Sequence, residues 1–183
     1  MTHKLGITFL ANAPLPAGHA FIEVFHDWIR RKELEELMID VADYGHVQGG
    51  PSVYFCGHES DYAIVRSVRP GILYRRKRAP DANGSSFADG LGRVARVITK
   101  LQTEPKLAGL SLDPSRFVLG FYDRLAAPNT DEGAAAMIAA MRPAIEARVG
   151  AAEIMRSKNE PRGVLELEVK PASGLVFEKL VSG

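Results

Sequence analysis

The stretch 38-MIDVADYGHVQGGPSVYFCGHESDYAIVRSVRPGILYRRKR-78 decides the fold. Its apolar residues fall into short blocks of strand length, so four strands are expected: Met38 to Tyr44, Ser52 to Gly57, Tyr62 to Val68 and Ile72 to Arg78. The breaks Gln48-Gly-Gly-Pro51, Gly57-His-Glu-Ser-Asp61 and Arg69-Pro-Gly71 are turn chemistry. Connections this short join antiparallel neighbours, because a parallel pair needs a crossover of a dozen or more residues. The segment therefore reads as a meander.

Towards the N-terminus, Leu5 to Leu10 alternates in the strand period, and Asn12 to Gly18, with Pro14 and Pro16, is a loop. Phe21, Ile22, Phe25, Trp28 and Ile29 then share one helix face, and Lys32 to Leu37 prolongs that helix or adds a turn. Towards the C-terminus, Ala79 to Ser86 is a loop that marks a boundary between two lobes, 1–80 and 81–183, of a single domain spanning 1–183. Ser86 and Asp89 form a capping-box-like start to a helix whose buried stripe is Phe87, Leu91, Val94, Ile98 and Leu101. Arg116 to Asp123 is apolar on both parities, which predicts a strand covered on both faces. Thr130-Asp131-Glu132 caps an alanine-rich helix bent at Pro143 and stopped at Gly150. A hairpin of Ala152 to Lys158 and Val164 to Lys170 follows, and Leu175 to Val181 predicts a short last strand. The element order implies an α+β fold: a mainly antiparallel sheet with helices packed on one side, and β-α-β-β halves that look pseudo-duplicated although their sequences show no repeat.

Composition narrows the function classes. The 183 residues carry 23 Lys+Arg against 22 Asp+Glu, a net charge of +1, which argues against nucleic acid as a partner. A single cysteine, Cys56, forms no internal disulfide and no cysteine-based zinc site, which points to a cytoplasmic setting. It lies in an apolar strand, where a packed thiol is the default. Nothing resembles a signal peptide or a membrane span, so no membrane partner is expected. Phosphate-binding, dinucleotide, zinc-protease and serine-hydrolase motifs are absent, and no cofactor is expected. His19, Glu23 and His26 align on one helix face, a metal-capable set in type, yet the pattern equally describes the wet face of an amphipathic helix, and no metal is assigned. His46 and His58 flank one strand and lie at its opposite ends, roughly 17–20 Å apart, so they do not share a site.

The meander supplies the candidate site. With turns centred near Gln48-Gly49, Glu59-Ser60 and Arg69-Pro70, Val41 lies opposite Cys56, Asp43 opposite Tyr54, Tyr54 opposite Val65, and Tyr74 opposite Val65. One face then carries an apolar floor interrupted by Asp43, Tyr54, Tyr74 and Arg76, with His58 at its end, the composition of a small-molecule pocket. Arg76 would hold a carboxylate or phosphate, the tyrosines would donate hydrogen bonds, and Asp43 would serve as base or cation partner. A register error of one residue sends all of them to the other face. Residues 33–43 hold five acids and no base, whereas 66–78 hold six bases and no acid, so the near-zero total hides an acidic and a basic segment. The expectation is a domain binding a small anionic metabolite on the meander. The alternatives are a hydrolase- or isomerase-like enzyme using Asp43 or His58 as acid/base, and a homodimeric interaction module pairing through its sheet or an edge strand such as Val164 to Lys170.

Overall fold

A computed structural model describes residues 4–66, 69–77, 86–157, 160 and 162–181. The chain runs β1 (Leu5–Ala11), α1 (Gly18–Arg31), β2 (Met38–Asp43), β3 (Pro51–Gly57), β4 (Ser60–Val65), β5 (Gly71–Arg76), α2 (Ser86–Thr103), a short 3-10 turn (Pro105–Leu107), β6 (Leu112–Phe121), α3 (Asp131–Val149), β7 (Ala152–Arg156), β8 (Leu165–Pro171) and α4 (Phe177–Val181). Of the expected boundary loop, Ala79 to Ser86, residues 79–85 lie outside the described residues and Ser86 opens α2; residues 158, 159 and 161 of the last hairpin turn also lie outside them.

Local chemistry sets the element ends. Lys32 adopts a left-handed conformation (φ 50°) and its N–H returns to the Ile29 carbonyl, so α1 stops there instead of continuing to Leu37. Thr130 caps α3 by accepting from the Gly133 N–H at 3.0 Å, Pro143 lies inside that helix, and Gly150 ends it at φ 75°. The last seven described residues do not form the expected strand. Phe177–Val181 is a short helix, because Phe177 and Leu180 reach the core from one helical face and Phe177 packs edge-on against Phe9 at 5.1 Å.

All eight strands join one antiparallel sheet in the order β2-β3-β4-β5-β1-β6-β8-β7. This is the α+β architecture expected from the sequence. The strand that follows a helix in each β-α-β-β run, β2 or β7, ends up at an outer edge, and β1 and β6 meet in the middle. The 164–170 segment is corrected here: β8 pairs with β6 on one side and β7 on the other, so it is interior and its backbone is not free to recruit a second chain. Its alternating Leu165, Leu167 and Val169 face the core.

The helices cover one face of the sheet. Phe25 of α1 stacks on Phe55 of β3 at 4.4 Å, Trp28 meets the same ring at 6.2 Å, and Phe87 of α2 stacks on Phe117 of β6 at 6.3 Å. The Trp28 indole N–H donates to the Glu104 carboxylate at 2.6 Å, which satisfies the polar end of a ring otherwise wholly buried. Cross-strand partners carry this face across the sheet from Val41 through Phe55, Tyr62, Tyr74, Ile7 and Leu119 to Leu167. The residues one position away along each strand point to the opposite face.

Candidate functional site

That opposite face is where the strands assemble a row of chemistry-bearing side chains. Cys56 on β3 lies opposite Asp61 on β4, Asp61 opposite Arg75 on β5, Arg75 opposite Gly6 on β1, Gly6 opposite Gly120 on β6, and Gly120 opposite Glu166 on β8. The next row in register is almost wholly apolar: Ala42, Tyr54, Ala63, Leu73, Thr8 and Val118. A polar row beside an apolar row makes a trough with one charged wall. The paired glycines have a specific use. The Tyr122 ring folds back over them, and a Cβ on Gly6 would stand 2.7 Å from its Cε2. Arg75 lies over the same ring, 5.9 Å from its centroid, a cation–π contact that holds the guanidinium beside the trough.

Asp61 is the electrostatic centre. Its side chain is only 7% exposed, Arg75 donates to Oδ2 at 3.3 Å, and Lys77 Nζ stands 2.8 Å from Oδ1 as an ion-pair contact outside hydrogen-bond geometry. Lys77 also donates to the Gly57 carbonyl. One carboxylate is thus shared by two cations. Asp40, opposite Cys56 on the edge strand, is exposed to water, where salt screens it.

The loop between β2 and β3 forms the other wall. The Tyr44 N–H returns to the Ser52 carbonyl and the Val47 N–H to the Tyr44 carbonyl, both at 2.8 Å, while Asp43 Oδ1 accepts from the Gly45 N–H at 2.8 Å. This turns the loop over the open face, with the Tyr44 ring edge-on to Tyr54 at 5.5 Å. A pocket of about 390 Å³ results, lined by Ala42, Tyr44, Val47, Gly50, Pro51, Tyr54, Cys56, Asp61 and Arg75. A second, of about 280 Å³, is lined by Thr8, Leu10, Gly49, Val65, Arg69, Leu73, Val118, Tyr122 and Glu166. Burial raises the pKa of Tyr54, Cys56 and Tyr122, with the Asp61 charge adding to the effect at Cys56 and Arg75 opposing it at both tyrosines. The thiol and phenols therefore stay protonated at neutral pH, as hydrogen-bond donors.

The five residues expected to form the site are not brought together. Tyr54 lies on the open face and lines the larger pocket. Tyr74 and Arg76 point to the helix-covered face, opposite Tyr62 and Ser60. Asp43 is opposite Val53 and exposed, occupied in capping Gly45, and His58 is exposed at the β3–β4 turn with its N–H on the Leu37 carbonyl. Neither Asp43 nor His58 stands in an enclosed cavity. Sequence reasoning missed Arg75, Asp61 and Tyr122. The Gly6–Gly120 pair is the available signal, since two glycines inside strands mark a place where something lies close on the sheet.

The expected charge runs are engaged by third parties. Glu33 pairs with Lys100 at 2.5 Å and Glu35 with Arg96 at 2.6 Å, both on α2. Arg66 donates to the Pro16 and Leu15 carbonyls, Arg69 pairs with Glu166, and Arg76 pairs with Asp89. At the sheet's rim, the 3%-exposed Glu36 accepts from the Glu59 N–H at 2.8 Å, the Ser60 N–H at 2.6 Å and the Ser60 hydroxyl at 2.5 Å, with Arg93 at 3.3 Å. This cluster staples the turn that leads into Asp61. Among the described residues no group of three or more His, Cys, Asp and Glu is arranged to hold a metal, and Glu23 of the helical set is paired with Lys106 at 2.6 Å. No helix among them is long and apolar enough to cross a membrane. Comparison of the chain with protein-family models, curated proteins and solved structures finds no match.

Proposed function

We propose that this chain binds a small anionic molecule in the trough on the open face of its sheet, with Arg75 meeting the anion, Lys77 sharing the Asp61 charge beside it, and Tyr54, Tyr44 and Val47 meeting its apolar body. The observation that carries this reading is at Asp61: Arg75, which lines a 390 Å³ pocket, and Lys77 share this one buried carboxylate. An incoming anion accepts from the guanidinium edge that Asp61 leaves unused, and Arg75 is pre-oriented by Tyr122, which reduces the ordering cost of binding. The pocket is of the size and mixed polarity typical of small-ligand sites. The anion expected from the basic segment is kept, and its holder moves from Arg76 to Arg75.

Two-dimensional amide NMR with benzoate, phenylacetate and the neutral benzyl alcohol tests it. The anions are expected to shift the resonances of Tyr54, Cys56, Ala63 and Arg75, benzyl alcohol to shift them much less, and Arg75→Gln to remove the difference. Equal perturbation by benzyl alcohol, or none by either anion at millimolar concentration, overturns the reading.

A second reading, self-association, draws on the exposed Leu37 (69%) and Ile39 (59%) beside the free edge of β2. Asp40 and Asp43 on that strand oppose pairing of two copies at neutral pH. A light-scattering mass of twice 19.9 kDa, lost on Ile39→Lys, would favour it.

A further inference from the structure

The second pocket carries a statement about the kind of ligand, and it rests on the reading of the trough just given. The linings of the two pockets adjoin. Gly50 lines one and Gly49 the other; Pro51 of the first is the register partner of Val65 of the second; Arg75 of the first lies over Tyr122 of the second. Arg75 thus stands between them, not at an end.

The second pocket has an unusual construction for the uncovered side of a sheet. Its floor is mostly aliphatic, with Val118 3% and Leu10 7% exposed although no helix among the described residues covers that face. The roof is the Arg69–Glu166 ion pair. Arg69 precedes β5 and Glu166 lies on β8, with β1 and β6 between, so at about 4.8 Å per strand the pair reaches over roughly 14 Å of sheet. Both side chains are partly exposed, 38% and 23%, and the pair closes over apolar floor instead of filling it. This also explains why β6 is apolar on both parities: one parity faces the helices, and the other floors this pocket.

We propose that the ligand is an anion flanked on one side by a ring and on the other by an unbranched apolar chain. The ring sits against Tyr44 and Tyr54, the anion meets Arg75, and the chain runs over Leu73, Thr8 and Val118 beneath Arg69–Glu166. N-acyl aromatic amino acids have this layout, with the carboxylate between ring and acyl chain. The floor from β5 to β6 crosses two strand spacings, about 10 Å, and an extended chain advances roughly 1.3 Å per carbon with single bonds near 1.5 Å, so seven or eight carbons fill it.

Calorimetric titration of the full chain with N-acetyl-, N-butanoyl-, N-octanoyl- and N-dodecanoyl-phenylalanine, below their micelle concentrations, tests this. Affinity is expected to rise by up to about fourfold per methylene, corresponding to about 0.8 kcal/mol for each one buried, and to level off beyond eight carbons. Leu73→Ser and the near-isosteric Val118→Thr, each first checked for an unchanged fold by circular dichroism, are expected to flatten the series, weakening N-octanoyl-phenylalanine far more than N-acetyl-phenylalanine. A flat series on the wild-type chain, with N-acetyl-phenylalanine still bound through Arg75, overturns the two-sided ligand and leaves the anion site standing. A rising series that both floor variants leave unchanged places the chain elsewhere and also overturns it. Failure of every member to bind overturns both readings.

Discussion

The two faces of the sheet use the same strands for opposite purposes. On the covered face, Phe55, Tyr62, Tyr74, Ile7 and Leu119 stand in register under three aromatic-bearing helices, and their exposure is 2% or less. On the other face, one residue away along each strand, Tyr54, Arg75 and Leu73 are half-buried, and no helix among the described residues lies above them. Close packing on the first face makes every methylene count towards stability. Incomplete packing on the second leaves room that a ligand can fill.

The sharpest way to break this comparison is to truncate neighbouring residues on the same strand. Phe55→Ala removes a ring that packs on Phe25, Trp28 and Tyr62, and is expected to cost about 3–5 kcal/mol in urea unfolding. Tyr54→Ala, one residue away, is expected to cost under about 1.5 kcal/mol, because its ring is half-exposed and meets Tyr44 edge-on. Equal losses would mean that the open face is packed as tightly as the core.

A smaller effect is expected at the rim that joins the faces. Glu36 is nearly buried and satisfies two backbone N–H groups and the Ser60 hydroxyl. Glu36→Ala strands those donors, at about 1–3 kcal/mol, and loosens the turn that presents Asp61 to the trough. Amide exchange should accelerate at Glu59 and Ser60 before it does so in β1 or β6; uniform acceleration would show global destabilisation without a local role for the carboxylate.

How far the sequence reveals these faces depends on register. The α+β class, the meander, the helix stripes and the Thr130 cap follow from periodicity and end chemistry, which are local. The site depends on which residues lie opposite one another, and that is set by turn length and bulges. The loop between Asp43 and Pro51 sets Asp40, not Val41, opposite Cys56, and the tight Gly57–Ser60 turn sets Ala63, not Val65, opposite Tyr54. The β4–β5 pairing differs from the expected one by three residues: Tyr74 meets Tyr62 instead of Val65. An odd shift reverses the face, so Tyr74 and Arg76 go to the core side and Arg75 replaces them, while the even shift between β3 and β4 leaves Tyr54 where it was expected. The Leu175 to Val181 segment fails for a different reason. Five to seven apolar-rich residues fit either period, and only the position of Phe9 selects the helix.

The smallest contrast between the faces appears only in alkali. Burial raises the pKa of Tyr62 and Tyr74 on the covered face and of Tyr54 and Tyr122 on the open one. A phenol whose pKa is higher folded than unfolded contributes stability that is fully present below the unfolded value, about 10, and is lost as pH climbs towards the folded one. Unfolding is therefore expected to become easier above about pH 10, while neutral stability is untouched by this effect. Desolvation shifts Tyr62 most strongly of the four, so Tyr62→Phe should move the alkaline midpoint of the circular-dichroism signal upward most clearly. Tyr54→Phe should move it least, since Arg75 beside that half-buried ring stabilises the phenolate and offsets part of the burial cost. Phenolate absorbance should report Tyr54 ionising while the sheet is still folded and Tyr62 only as it unfolds. If the two phenols ionise together in a single step coincident with unfolding, the open face is as dry as the covered one, and a ligand would find no room on it.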